Sequence, residues 1–117
     1  MKLDLEGRTA LVTGAGSGIG AGVARVLATL GVRVAITARR QAPLQSVAAA
    51  IEAAGGPGPV VLMGDLTDAD DVQRIASASL QALQHVDILV NAAGGARLAG
   101  VAAADEVWDE AMALNFS

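Results

Sequence analysis

The sequence predicts an α/β fold, a doubly wound parallel sheet with helices on both faces. Two observations carry that prediction. Apolar runs of strand length alternate with longer runs of helical spacing, in the order β-α-β-α-β-α-β-α and without any repeat of sequence. Each strand-like run also stops at a polar residue or a glycine: Thr13-Gly14, Ala38-Arg39, Asp65-Leu66 and Asn91 to Gly94. Those are the C-terminal strand ends, where sheets of this kind bind ligands.

The elements follow in order. Residues 1–8 lead in, with a turn at Gly7, and residues 9–13 form the first strand. A first helix is expected from Gly18 to Leu30, its apolar positions Ile19, Val23, Val26, Leu27 and Leu30 recurring at three- and four-residue steps, so that this face packs on the sheet. Gly31 is placed to cap it. Residues 32–37 form the second strand, and a second helix starts near Pro43, a residue suited to a first helical position, and runs to Ala54. A Gly/Pro loop over residues 55–59 precedes the third strand, residues 60–63. Thr67 and Asp70, spaced like a capping box with Asp in place of Glu, open a third helix that carries Val72, Ile75, Ala76, Leu80 and Leu83. The fourth strand is residues 86–90, and a last helix runs from about Asp105 to Asn115.

The stretch around which the chain is organised is TALVTGAGSGIG, residues 9–20. A buried strand, a glycine turn and a helix start form a place to hold phosphate: glycine leaves no Cβ between backbone and ligand, and the first helical N–H groups lack partners of their own. The common dinucleotide spacing GxGxxG fails here, because Ile19 stands where its third glycine would fall. The spacing that fits is TGxxxGxG, from Thr13, Gly14, Gly18 and Gly20.

Other strand ends add to it. Arg39 and Arg40 follow the second strand, where an acid would bind the ribose 2′-hydroxyl of NAD. A guanidinium forks onto phosphate oxygens, so the pair favours the 2′-phosphate of NADP over NAD, and the Ser17 hydroxyl can assist. Two solvated arginines ending a strand are the plain alternative. Asp65 either accepts from an adenine amino group, with the Leu66 N–H serving the ring, or caps the third helix. Asn91 either ties strand-end loops together or simply forms a turn; Ala92, Ala93 and Gly94 are small enough for a ribose to approach. Asn115 sits where a helix disfavours it. Trp108 and Phe116 are read as core or interface anchors, and His85 as a loop residue.

Composition bounds the remaining classes. The 117 residues suffice for one domain with a core. Eight basic against twelve acidic side chains leave a formal charge of −4, which argues against nonspecific binding to nucleic acid or an anionic membrane surface. Cysteine is absent, which excludes disulfides and thiolate metal sites, and the single His makes no metal site. Without a signal-like N-terminus or a spanning apolar run, the expected place is the cytoplasm.

Together, Thr13-Gly14-Ala15-Gly16-Ser17-Gly18-Ile19-Gly20, Asp65-Leu66, Asn91-Ala92-Ala93-Gly94 and the Trp108…Asn115 spacing resemble the short-chain dehydrogenase/reductase (SDR) family. The resemblance implies a Rossmann-type sheet of strand order 3-2-1-4 in the part present. It implies an oxidoreductase, NADP-dependent in preference to NAD, that interconverts a carbonyl and an alcohol of a small-molecule substrate by hydride transfer. Reduction of a 3-oxoacyl group on a carrier protein is one activity found among similar proteins. By resemblance Gly14, Ser17, Gly18 and Ile19 line adenosine and pyrophosphate, Arg39 takes the basic position of NADP-preferring members, Asp65 and Leu66 hold adenine, and Asn91, with Ala93 and Gly94, flanks the ribose. Asn115 resembles the asparagine that positions a water in the family's proton relay. Relatives are often homotetramers.

The family's catalytic Ser, Tyr and Lys have no counterparts here, and Tyr is absent altogether. The resemblance therefore covers about the N-terminal half of a complete member, residues 1–117 forming its dinucleotide-binding domain. A near-continuous apolar fourth strand would be left at a sheet edge, and an edge of that kind is expected to be paired, by further residues of a longer chain or by another chain. Two other readings stand beside this one. One is a non-catalytic nucleotide-binding or assembly module, if the chain ends at Ser117. The other, weaker, is an S-adenosylmethionine-dependent methyltransferase, which would usually want an acid where Arg39 stands.

Overall fold

A computed structural model describes residues 5–16 and 18–92. Ser17, Ala93, Gly94, Asn115 and the expected last helix lie outside the described residues. The elements are β1 (Thr9–Thr13), α1 (Gly18–Thr29), β2 (Arg33–Ala38), α2 (Gln41–Ala53), β3 (Val60–Met63), α3 (Ala69–Leu83) and β4 (Ile88–Asn91). The four strands form one parallel sheet in the order β3-β2-β1-β4, as expected.

Side chains of successive strand residues point to opposite faces, and the core divides accordingly. Ala10, Val12, Val34 and Ile36 pack with Ala24 and Ala28 of α1 and Leu44, Val47 and Ile51 of α2. Leu11 and Ala35 face the other way and pack with Val72, Ile75, Ala76 and Leu83 of α3. Every residue of β1 is buried, because the strand is both central and covered on two sides.

The face of α1 that packs matches the expected one only in part: Leu27 packs against the core, as expected. Gly20, Ala24 and Ala28 are its buried residues, while Ile19 is 81% exposed and Val26 60%. Small residues at four-residue steps let the helix axis come close to the sheet, so the side chains without bulk take the inner face. The helix ends in a Schellman motif: Val32 N–H donates to Leu27 O and Gly31 N–H to Ala28 O, both at 3.1 Å, with Gly31 at φ +86°.

Smaller shifts have local causes. β2 runs one residue further than expected, through Ala38, which pairs with Met63. α2 starts at Gln41, which makes Pro43 its third residue; the proline still costs no hydrogen bond, since the first four helical N–H groups have no internal acceptor. β4 begins at Ile88, paired with Ala10, and includes Asn91. The residues before it serve the base of the sheet. Asp87 Oδ2 accepts from the Thr9 N–H at 3.0 Å and lies 3.3 Å from the Thr9 hydroxyl and 3.1 Å from His85 Nε2. The Thr9 hydroxyl also reaches the His85 carbonyl at 2.7 Å. The Thr9 N–H, more than the nearby His85 and Arg8 charges, holds the Asp87 carboxyl below its ordinary value.

α3 opens one residue after the expected box. Its N-cap is Asp68, whose carboxylate accepts from Asp70 N–H at 2.8 Å and Asp71 N–H at 3.4 Å. Thr67 does not cap the helix; its hydroxyl and its N–H both donate to Asp65 Oδ1.

Candidate functional site: the C-terminal edge of the sheet

The strand register brings the tips together. Thr13 pairs with Thr37 on one side and Asn91 on the other, and Ala38 pairs with Met63. Gly14, Arg39, Gly64-Asp65 and Ala92 therefore leave the sheet along one edge.

At the centre is the glycine turn. Gly14 takes φ +66°, a left-handed conformation that a side chain disfavours, and Ala15 N–H crosses to Thr37 O at 3.0 Å. α1 then folds back onto the turn. A Cβ on Gly20 would collide with Gly14 O and stand 2.7 Å from Gly14 C and 3.1 Å from Ala15 Cα. The spacing TGxxxGxG thus has a steric meaning: its last glycine is the point where the first helical turn rests on backbone. Gly18 and Ile19 lie outward of that contact, both exposed.

Thr13 and Asn91 brace the turn from the side. The Thr13 hydroxyl donates to Asn91 Oδ1 at 2.8 Å, and Ala92 N–H donates to Thr13 O at 3.2 Å. Asn91 is therefore a tie between β1 and β4, not merely a turn residue. Thr37, beside Thr13, is fully buried, and among the described residues its hydroxyl has no hydrogen-bond partner.

The β2 tip presents Arg39 and Arg40, both exposed. Arg40 occupies the N-cap position of α2 in extended conformation (φ −120°, ψ 141°) and makes no side-chain cap. At the β3 tip, Asp65 does not cap α3. Its Oδ1 accepts from the Thr67 hydroxyl at 2.7 Å and the Thr67 N–H at 2.9 Å. These bonds keep its carboxyl below the ordinary value, with the Arg39 charge adding a smaller pull in the same direction against partial desolvation. Arg39 and Asp65 are thus electrostatic neighbours across the β2–β3 tips. Leu66 is half-buried against the α3-side core, and no described residue accepts a hydrogen bond from its N–H.

Two residues that the sequence does not single out act on this edge. Asp71 Oδ2 accepts from the Asp65 N–H at 2.8 Å, and Arg74 Nη2 donates to Met63 O at 2.9 Å. An acid at the third helical position is the available signal, but it points to the cap, three residues short of its actual partner. Among the described residues there is no cluster able to hold a metal ion, and no helix is long and apolar enough to cross a membrane.

Known proteins resemble this chain in sequence and in fold. A family model described as short chain dehydrogenase matches residues 8–117. D-threitol dehydrogenase of Mycolicibacterium smegmatis is 40% identical over 117 residues, covering 97% of this chain and 44% of its own. Fatty acyl-CoA reductase of Acinetobacter baylyi is 40% identical over 91 residues, covering 78% of this chain and 30% of its own. A metagenomic short-chain oxidoreductase solved in complex with NADP superposes with a TM-score of 0.82 at 35% identity, covering 96% of this chain and 57% of that one. A short chain dehydrogenase of Burkholderia cenocepacia, also in complex with NADP, gives 0.79 at 32% identity, covering 96% and 52%. The chain thus spans less than half the length of these curated relatives.

Proposed function

The chain belongs to the short-chain dehydrogenase family, and from that membership we propose that it is the cofactor-binding part of an NADP(H)-dependent oxidoreductase that interconverts a carbonyl and an alcohol on a small molecule. The observation that carries the cofactor preference is Arg39: an exposed guanidinium at the β2 tip, where an NAD enzyme would place an acid. Two relatives in structure are NADP complexes, which supports the same reading.

The residues present fit such a dinucleotide. Gly14, at φ +66°, makes the turn and Gly20 lets the first turn of α1 close onto it, an arrangement that would leave backbone N–H groups at the start of α1 to face a pyrophosphate. Gly18, Ile19 and, by sequence, Ser17 stand at that helix start. Arg39, with Arg40 beside it, supplies charge and forked donors for a 2′-phosphate. Asp65 offers a carboxylate kept ionised at neutral pH, beside the Leu66 N–H, a donor and an acceptor matched to the edge of adenine. Asn91 fixes the β4 tip against Thr13, where Ala93 and Gly94 would leave room for a ribose.

When bound, NADP(H) supplies the hydride, and this chain's own contribution is binding and orientation. Proton transfer at the substrate oxygen falls to residues other than these, with Asn115 proposed to position a water in that relay.

Equilibrium binding of NADPH and NADH tests the reading. The wild-type protein is expected to prefer NADPH, and Arg39→Ala to erode that preference. An unchanged preference in Arg39→Ala removes Arg39 from the site, and failure of the wild type to bind either dinucleotide refutes the proposal.

A further inference from the structure

We propose that Asp71 and Arg74, on the first turns of α3, form a clamp that positions the Asp65-Leu66 loop for adenine. The inference rests on the cofactor reading above and adds two residues to it that do not touch the ligand.

In an ordinary capping box the residue at the third helical position reaches back to the N–H of the N-cap. Asp71 holds that position relative to Asp68, yet its carboxylate passes the N-cap and accepts from the Asp65 N–H at 2.8 Å. Asp68 meanwhile satisfies the helix by itself, accepting from the N–H groups of Asp70 and Asp71. The two halves of the box are therefore divided: Asp68 serves the helix, and Asp71 serves the strand tip.

Arg74, one turn on, completes the hold. Its Nη2 donates to the carbonyl of Met63, the last residue of β3, at 2.9 Å and lies 3.5 Å from Asp71 Oδ1. An exposed ion pair of this kind is worth little by itself. Its use is geometric: with the guanidinium beside Asp71 Oδ1, the other oxygen, Oδ2, is the one that meets the Asp65 N–H. A Cβ on Gly64, between the two grips, would stand 2.9 Å from Arg74 Nη2 and 2.5 Å from Ile75 Cδ1, so a side chain there would push the ends of both aside.

The consequence falls on the next peptide. With Met63 O and Asp65 N–H both fixed to α3, Asp65 O accepting from the Asp68 N–H and Asp65 Oδ1 fixed by Thr67, the outer carboxylate oxygen of Asp65 and the Leu66 N–H are held in place with no described partner of their own. Their mutual placement is then set before any ligand arrives, which lowers the ordering cost of binding.

The test uses the protein at its natural length and measures binding of NADP and of its adenine half, 2′,5′-ADP. Asp71→Ala is expected to weaken both about three- to tenfold, the worth of one positioned hydrogen bond. Asp71→Asn, which keeps an acceptor oxygen, is expected to recover most of that affinity, a rescue that a general loss of stability would not show. Hydrogen exchange at the Asp65 amide is expected to accelerate in Asp71→Ala and less in Asp71→Asn. If the wild type binds 2′,5′-ADP and Asp65→Ala weakens it while Asp71→Ala leaves it unchanged, the clamp is refuted and the cofactor reading stands. If the wild type binds neither ligand, both fall.

Discussion

Gly20 and Gly22, on opposite sides of α1, give opposite expectations for the same substitution. Gly20 is buried, and a Cβ there would meet backbone: Gly14 O and C, and Ala15 Cα at 3.1 Å. None of these atoms can rotate away. A methyl added at Gly22 would have nothing within 4 Å, since that side faces outward. Alanine stabilises a helix interior by about 1 kcal/mol over glycine, and forcing a methyl into a closed contact costs about 1–3 kcal/mol. Because the Gly20 contact is with backbone, the upper part of that range applies. Gly20→Ala is then expected to destabilise by about 2 kcal/mol net, and Gly22→Ala to stabilise by somewhat under about 1 kcal/mol. Urea unfolding, read as a shift of midpoint at constant slope, measures both. A Gly20→Ala variant as stable as the wild type, or two variants shifting in the same direction, would show that α1 does not rest on the glycine turn as described.

Further expectations concern the two ends of the sheet. Thr13→Val removes the donor to Asn91 Oδ1 with little change of shape, and is expected to cost about 1 kcal/mol in urea unfolding, with Thr13→Ser restoring it. Asp87 has a carboxyl held below its ordinary value of 3.8, so its contribution is complete above that value and is lost as pH falls through the lower, folded one. Asp87→Asn should therefore flatten the acid limb of a stability–pH curve, and an unchanged limb would count against the Thr9–Asp87 contact. Arg39→Ala is expected to reduce NADPH affinity about 10- to 100-fold with NADH affinity little changed, by loss of charge-assisted hydrogen bonds, as competitive binding would report.

Much of this architecture is legible in the sequence because strands and turns write locally. The parallel order follows from alternation of elements, and the tips from residues that end each apolar run. What is not legible is which side chains pack against which. Ile19, Val26 and Leu30 have the periodicity of an inner face, yet Gly20, Ala24 and Ala28 occupy it. Hydrophobic spacing reports an apolar stripe but not how near a helix axis must come to the sheet, and a close approach selects for small residues. The cap of α3 escapes the sequence for a similar reason: Thr67 and Asp68 are both competent caps, and in the fold Asp68 takes the helix N–H groups while Thr67 donates to Asp65. Nothing in the sequence singles out Asp71 and Arg74, because their partners lie at the β3 tip, several residues away along the chain. Asp65 is open between two roles in sequence, and the fold removes the capping one.

Gly16 leaves one more consequence. A methyl on it would stand 3.1 Å from Ala38 Cβ and 3.2 Å from Pro43 Cβ. The glycine turn and the segment that carries both arginines are thus seated against each other with no slack, like a gasket between two flanges. Side-chain bulk at position 16 acts as a spacer that sets how far the guanidinium-bearing stretch stands off. Retuning coenzyme choice through positions 39 and 40 alone would leave that spacer untouched, and a thicker residue at 16 would reset the distance without altering a single charge.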